Sequence, residues 1–222
     1  MTAMLRYSLV ADGTSDRALI PIITWALRQH GVRWAIQPEW ADLSRVPRRP
    51  RGLTERLREA LNLYPCELLC IHRDAEREQP VSRRDEIATA IEAVAVTGSI
   101  VPPAVCIIPV RMQEAWLLFD EAAIRSAAGN PNGRQTLELP QLARIEQVPD
   151  PKEMLRGLLR QASGLSRRRL ERLDDRPHRV ADFIDDFTPL RTLAAFQAFE
   201  TELGQIIAAQ GWDRGEGEMV IG

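Results

Sequence analysis

The chain is almost without lysine. Lys152 is the only one among 29 basic residues, so nearly all positive charge is carried by arginine. A guanidinium binds carboxylate or phosphate through two parallel N–H bonds, where an ammonium acts as a point charge. Cysteine is scarce as well. Cys66, Cys70 and Cys106 are odd in number, lie in apolar runs and fit no zinc spacing, which argues for reduced core thiols and against a disulfide framework. His30, His72 and His178 have no neighbours in sequence that would complete a ligand set. No apolar run nears the roughly 20 residues of a membrane-spanning helix. The N-terminus lacks the basic, apolar, small-residue order of a secretory leader, and a cytoplasmic location is the resulting expectation. A net charge of −2 gives no global positive field for nucleic acid.

What is present is an alternation of strand-like and helix-like segments. Apolar runs at residues 5–10, 66–71 and 104–110 predict strands, with a weaker one at 32–36. Within the 66–71 run, Leu68 to Ile71 is continuously apolar after Glu67, as is typical of a strand covered on both faces. Between them, Leu19, Ile22, Ile23, Ala26 and Leu27 recur with helical period, and Pro21 within the pattern implies a kink or a late helix start. Leu53, Leu57 and Ala60 mark a second helix, and Ile87, Ala90, Ile91 and Val94 a third with Ser82 as its expected cap. Ala115, Leu118, Phe119 and Ala122 mark a fourth, opened by Glu114. This order predicts an α/β fold with a mainly parallel four-stranded sheet in a three-layer, Rossmann-like core over residues 1–128. After the turn-rich segment Gly129-Asn130-Pro131-Asn132-Gly133, residues 129–222 read as a helical extension packed on that core. Asp150-Pro151-Lys152-Glu153 has the N-cap, N1 proline and N3 glutamate of a helix start.

Acidic residues follow the strand-like runs. Asp12 ends the first run, in Asp12-Gly13-Thr14-Ser15-Asp16; Asp74 and Glu76 follow the third; Glu114 stands four residues past the fourth. Carboxylates at the carboxyl ends of parallel strands can meet in one crevice. Without partnering cysteine or histidine they favour a hard cation such as Mg²⁺ or Mn²⁺. Asp12, Asp74, Glu76 and Glu114 are therefore the candidate catalytic and metal-binding residues, with Asp16 and Asp120 secondary. Arg73, Arg111 and Lys152 are candidates for holding a phosphate. Arg45, Arg48, Arg49 and Arg51 in a Pro-rich loop, and the run Arg167, Arg168 and Arg169, add further cations. The string His72-Arg73-Asp74 matches a protein-kinase catalytic loop in three letters only, because no Gly-rich phosphate loop precedes it and no Asp-Phe-Gly follows. A phosphoacceptor role for Asp74 is disfavoured by the place of the single lysine in the helical part.

The order of these motifs resembles the Toprim domain of topoisomerases, primases and overcoming-lysogenization-defect nucleases. More closely, it resembles the bacterial Toprim-like group known as domain-of-unknown-function family 4276. The matching stretches are Asp12-Gly13-Thr14-Ser15-Asp16, His72-Arg73-Asp74-Ala75-Glu76, Glu114-Ala115-Trp116-Leu117-Leu118-Phe119-Asp120, Asp150-Pro151-Lys152-Glu153-Met154-Leu155 and Phe187-Thr188-Pro189-Leu190-Arg191. The resemblance implies Mg²⁺-dependent nuclease chemistry on nucleic acid. It also implies a separately encoded ATPase partner of the ABC or SMC type, in a module resembling antiphage defence. Two acids depart from the group's pattern: Asp12 stands in place of a glutamate and Glu76 in place of an aspartate. A catalytically inactive regulatory subunit of such an ATPase is the alternative expectation.

Overall fold

The computed structural model describes residues 4–76, 78–165 and 177–214. The run Arg167, Arg168 and Arg169 lies outside them, as do the side chains of Arg45 and His178. Four strands, β1 (Met4–Val10), β2 (Ala35–Trp40), β3 (Leu68–His72) and β4 (Ala104–Ile107), form one sheet. Its order is β2-β1-β3-β4, and every neighbouring pair is parallel. Among the described residues, six α-helices accompany it: α1 (Leu19–Gln29), α2 (Gly52–Leu63), α3 (Pro80–Ala95), α4 (Glu121–Ala127), α5 (Pro151–Ser163) and α6 (Ala194–Gln210).

The pleat divides the apolar residues between two layers of helix. Leu5, Tyr7, Leu9, Leu68, Cys70 and Val105 face the larger core, which includes α1. Val10, Leu69, Ile71 and Cys106 face the other way, onto Leu53 and Leu57 of α2 and Ile87 and Val94 of α3. The cysteines of these runs thus behave as core residues, and burial pushes the Cys106 thiol up to about 12. The larger core also takes in Leu155 and Leu159 of α5 and Phe196 and Phe199 of α6, so apolar residues before and after position 128 pack as one body. Trp116, fully buried, meets Phe196 edge-on at 5.2 Å. Such a pair is worth about 0.5–1.5 kcal/mol beyond its buried area and fastens α6 beside the segment that follows β4.

Three local expectations change, and the late helix start is the one of the two readings of Pro21 that holds. β2 lies at 35–40, not 32–36. As an edge strand it carries polar Gln37, Glu39 and even Pro38, which only an edge tolerates. α1 begins late, after a 3-10 turn (Thr14–Ala18), so Pro21 falls in the first turn, where no hydrogen bond is lost. α3 starts at Pro80 rather than behind Ser82. The helix expected from Glu114 is a 3-10 turn (Gln113–Leu117), after which Asp120 restarts the chain as the N-cap of α4 by accepting from Ala123 N at 2.9 Å. Among the described residues, no helix is long and apolar enough to cross a membrane.

Candidate functional site

The chain enters the sheet at β1, moves outward to β2, then crosses back to pair β3 on the other side of β1. The connections after β1 and β3 therefore leave in opposite directions, and the gap between their carboxyl ends is where α/β sheets hold ligands. A crevice of about 310 Å³ opens there, lined by Asp12, Asp16, Asp74, Glu76, Glu114 and Lys152. His72 and Arg73 also face it. The four primary acids of the sequence thus reach one crevice, joined by Asp16 and by the single lysine. Lys152 arrives from the first turn of α5, which Asp150 caps by accepting from Glu153 N at 2.9 Å. Arg111 lines an adjoining hollow with Glu76 and Glu78 instead of the crevice itself. Asp120 serves as the cap of α4 and is not among the crevice residues.

Each acid is held differently. Asp12 is half-exposed, and its two oxygens take Arg56 Nη1 and Arg73 Nη1. Arg73 is shared with Glu86, 3.1 Å away. Asp16 is buried; it accepts from Gly13 N at 2.8 Å and from Gln113 Nε2 at 3.1 Å. The chain bends at Asp12 and Gly13 into the 3-10 turn, with Gly13 in ordinary extended backbone (φ −129°), so the bend does not call on the left-handed region. Asp74 Oδ1 accepts from Gln113 N at 3.0 Å and lies 3.3 Å from His72 Nε2. Glu76 sits in the left-handed region (φ 55°), which ends the extended run, and its exposed carboxylate stands at the rim. Its N–H still donates to Arg111 O at 3.1 Å, so the backbone stays tied to the segment beyond β4.

His72 is buried and has a polar partner on each ring nitrogen. Its Nδ1 lies 3.0 Å from the carbonyl of Ile107, and its Nε2 faces the Asp74 carboxylate. Both partners are acceptors, so only the doubly protonated ring satisfies both. Burial pulls the imidazole pKa down, but the hydrogen bond to Asp74 and the charges of Asp74 and Asp16 outweigh it and leave it raised. Gln113 is the other residue that the strand-end reasoning missed, because it joins Asp16 and Asp74 only through the folded turn. Sequence did hold a signal for Asp16: it stands one helical turn past Asp12, where its carboxylate can reach back to the backbone at Gly13.

Glu114 is the buried extreme. Burial pushes its carboxyl pKa up, Lys152 pulls it down, and the negative charges of Asp74 and Asp16 add to the rise. The Lys152 Nζ to Glu114 Oε1 distance is 3.9 Å, an ion pair without a hydrogen bond. Glu114 Oε1 and Gln113 Oε1 are both buried with no hydrogen-bond partner among the described residues. Buried oxygens beside three carboxylates suit a hard cation in donor chemistry. Even so, among the described residues no three His, Cys, Asp or Glu side chains form a ready-made metal-ligand group.

Fold and crevice together define a parallel α/β protein with an acid-lined crevice at the topological switch point of its sheet. Comparison with protein-family models, with curated proteins and with solved structures finds no match to the chain.

Proposed function

We propose that the chain is a Mg²⁺-dependent nuclease, with a Toprim-like core that hydrolyses phosphodiester bonds in the crevice. One observation carries the reading: carboxylates from three separate strand ends share a single crevice with Lys152 and Arg73. Asp16, Asp74 and Glu114 would hold Mg²⁺ or Mn²⁺, with Glu76 at the rim and Asp12 available when its arginines are engaged elsewhere. Such a cation supplies Lewis acidity and counter-charge to a phosphoryl group. The rest falls to the chain. His72 and Gln113 fix the direction of Asp74, and fixed donors cost no reorganisation during reaction. Arg73 and Lys152 orient the phosphate by charge-assisted hydrogen bonds. In this reading the chain is the effector beside an ATPase of the ABC or SMC type.

The test is cleavage of single- and double-stranded DNA and RNA with Mg²⁺ or Mn²⁺, with and without such an ATPase. Wild type is expected to cut and Asp74→Ala to be inactive while still folded. Asp74→Asn is the companion variant, since it keeps an acceptor for Gln113 and His72 while losing the charge. Cleavage that survives both changes removes Asp74 from the site.

A second reading draws on the arginine pairs of Asp12 and the absence of a ready ligand group among the described residues. It makes the chain a catalytically inactive subunit that regulates the ATPase. Calorimetric titration with Mg²⁺ and Mn²⁺ separates the two. Heat that disappears in Asp74→Asn supports the nuclease, and no heat in wild type supports the regulatory subunit.

A further inference from the structure

The crevice does not end at its own walls. A second hollow of about 300 Å³ adjoins it toward β2 and shares Asp12 and Gly13 with it. A third, of about 540 Å³, adjoins it on the β4 side through Glu76 and Met112. The three hollows share lining residues in series, and the two outer ones, arms on either side of the crevice, differ in chemistry. The β4-side arm sets Glu76, Glu78 and Asp150 against one cation, Arg111. The β2-side arm has Trp40, Arg49 and Arg56, with Asp12 and Asp42.

The acids of that second arm are occupied locally. Asp42 folds back on its own turn, accepting from Ser44 N at 3.0 Å and Ser44 Oγ at 2.6 Å. Asp12 lies between Arg56 and Arg73, so its carboxylate fills a position that two guanidiniums from different elements frame for an anion. Arg49 is exposed and has no ion-pair partner among the described residues. Trp40, the last residue of β2, packs on the larger core and also lines the hollow. An aromatic surface next to cations matches a nucleotide, whose base stacks and whose phosphate takes charge-assisted hydrogen bonds. Volumes from about 300 Å³ upward are those of small-ligand pockets.

We propose that this hollow is a nucleotide subsite for a nucleic-acid strand, with a base stacked on Trp40 and the adjoining phosphate held by Arg49 and Arg56. The strand then reaches the crevice from the β2 edge, because the acidic arm repels phosphate on the other side. A phosphate taking Arg56 also frees Asp12 from half of its ion pairing, which couples occupancy of the subsite to the acids beside it. The inference rests on the reading of the crevice as a phosphodiesterase and adds the side from which substrate enters.

The test is fluorescence anisotropy with an end-labelled single-stranded oligonucleotide in EDTA, where no cleavage occurs. Arg49→Ala is expected to weaken binding about fivefold and to flatten the salt dependence by about 0.7 in log–log slope. Trp40→Leu is expected to weaken it about tenfold, with Trp40→Phe restoring most of the loss. Arg33→Ala, an exposed arginine just before β2 at the opposite end of the sheet, is expected to bind as wild type. A nucleoside monophosphate is expected to compete far more weakly than the oligonucleotide; equal competition overturns the strand. Equal binding by wild type, Arg49→Ala and Trp40→Leu, or no binding by wild type, overturns the subsite. Cleavage of the same oligonucleotide with Mg²⁺ is read separately. Cleavage with unaltered binding in the variants removes the subsite alone, whereas impaired binding in them with no cleavage by wild type removes the phosphodiesterase alone.

Discussion

The two ends of the crevice hold the same functional group in opposite states. Asp12 has a side chain 44% exposed and two arginines on it, whereas Glu114 is 3% exposed and faces one lysine at 3.9 Å. At the Asp12 end charge is neutralised by the protein, and solvent screens what remains. At the Glu114 end burial and two neighbouring carboxylates work against ionisation. Clustered acids are therefore not equivalent candidates. The uncompensated end is where an added cation gains most, and the sheathed end is where an incoming phosphate must displace something. Between them, His72 and Gln113 hold Asp74 at one oxygen.

The largest effect is expected at Asp74, between the two ends. Asp74→Asn is expected to lower Mg²⁺-dependent cleavage by about a hundredfold or more, with the urea midpoint little changed. A matched Asp12→Asn is expected to lose less, and equal losses would erase the distinction between the ends.

Glu114→Gln is expected to be nearly as damaging to cleavage, yet to make the fold more stable at neutral pH. The native state raises the Glu114 pKa, so it holds that proton more tightly than the unfolded chain does. The resulting stability is fully present below the ordinary carboxylate range and is lost as pH rises through the folded pKa. The glutamine variant does not suffer that loss. Its melting temperature should match wild type near pH 3 and exceed it at pH 7, by roughly 2–4 °C for each kcal/mol. His72 has the same sign with a different window: its raised pKa makes the contact with Asp74 fade as pH climbs above the usual histidine range.

Removing the sheath sharpens the contrast. Arg56→Gln leaves Asp12 with one arginine and the crevice more negative. Calorimetry is expected to show Mg²⁺ binding tightened by up to about fivefold, while oligonucleotide binding weakens by a similar factor. Opposite signs in the two measurements are the diagnostic. The smallest effect belongs to the acid outside the crevice. Asp120→Ala removes an N-cap and is expected to cost about 1 kcal/mol in urea unfolding, with cleavage unchanged.

Much of this arrangement is written locally and some of it is not. β3 and β4 are legible because burial on both faces demands unbroken apolar runs, as in Leu68-Leu69-Cys70-Ile71, and β1 because Leu5, Tyr7, Leu9 and Val10 mark it despite Arg6 and Ser8. β2 is misplaced by several residues because an edge strand with Pro38 and Glu39 carries no such run. The convergence of Asp12, Asp74, Glu76 and Glu114 follows from strand-end position, a one-dimensional property once parallel order is assumed. The rank of Asp16 above Asp12 does not, since it depends on which acid the arginines of α2 and the β3 end reach. Lys152 is the sharpest case. Its helix start is plain in Asp150-Pro151, but the fold alone returns α5 to the crevice. Lys152 still stands on a helix and not at a strand end, and the carboxylate it pairs with is Glu114.

β1 precedes the other three strands in sequence yet lies inside the sheet, and that order has a cost in time. Tyr7 of β1 must wait for Leu68 before its second neighbour exists, and Leu69 in turn waits for Ala104. Parallel pairings across such separations close slowly. During synthesis from the N-terminus, β1 and β2 can emerge as a two-stranded ribbon whose inner edge is still open. A ribbon of that kind invites pairing with another nascent copy, so yield on refolding from denaturant should fall steeply as protein concentration rises.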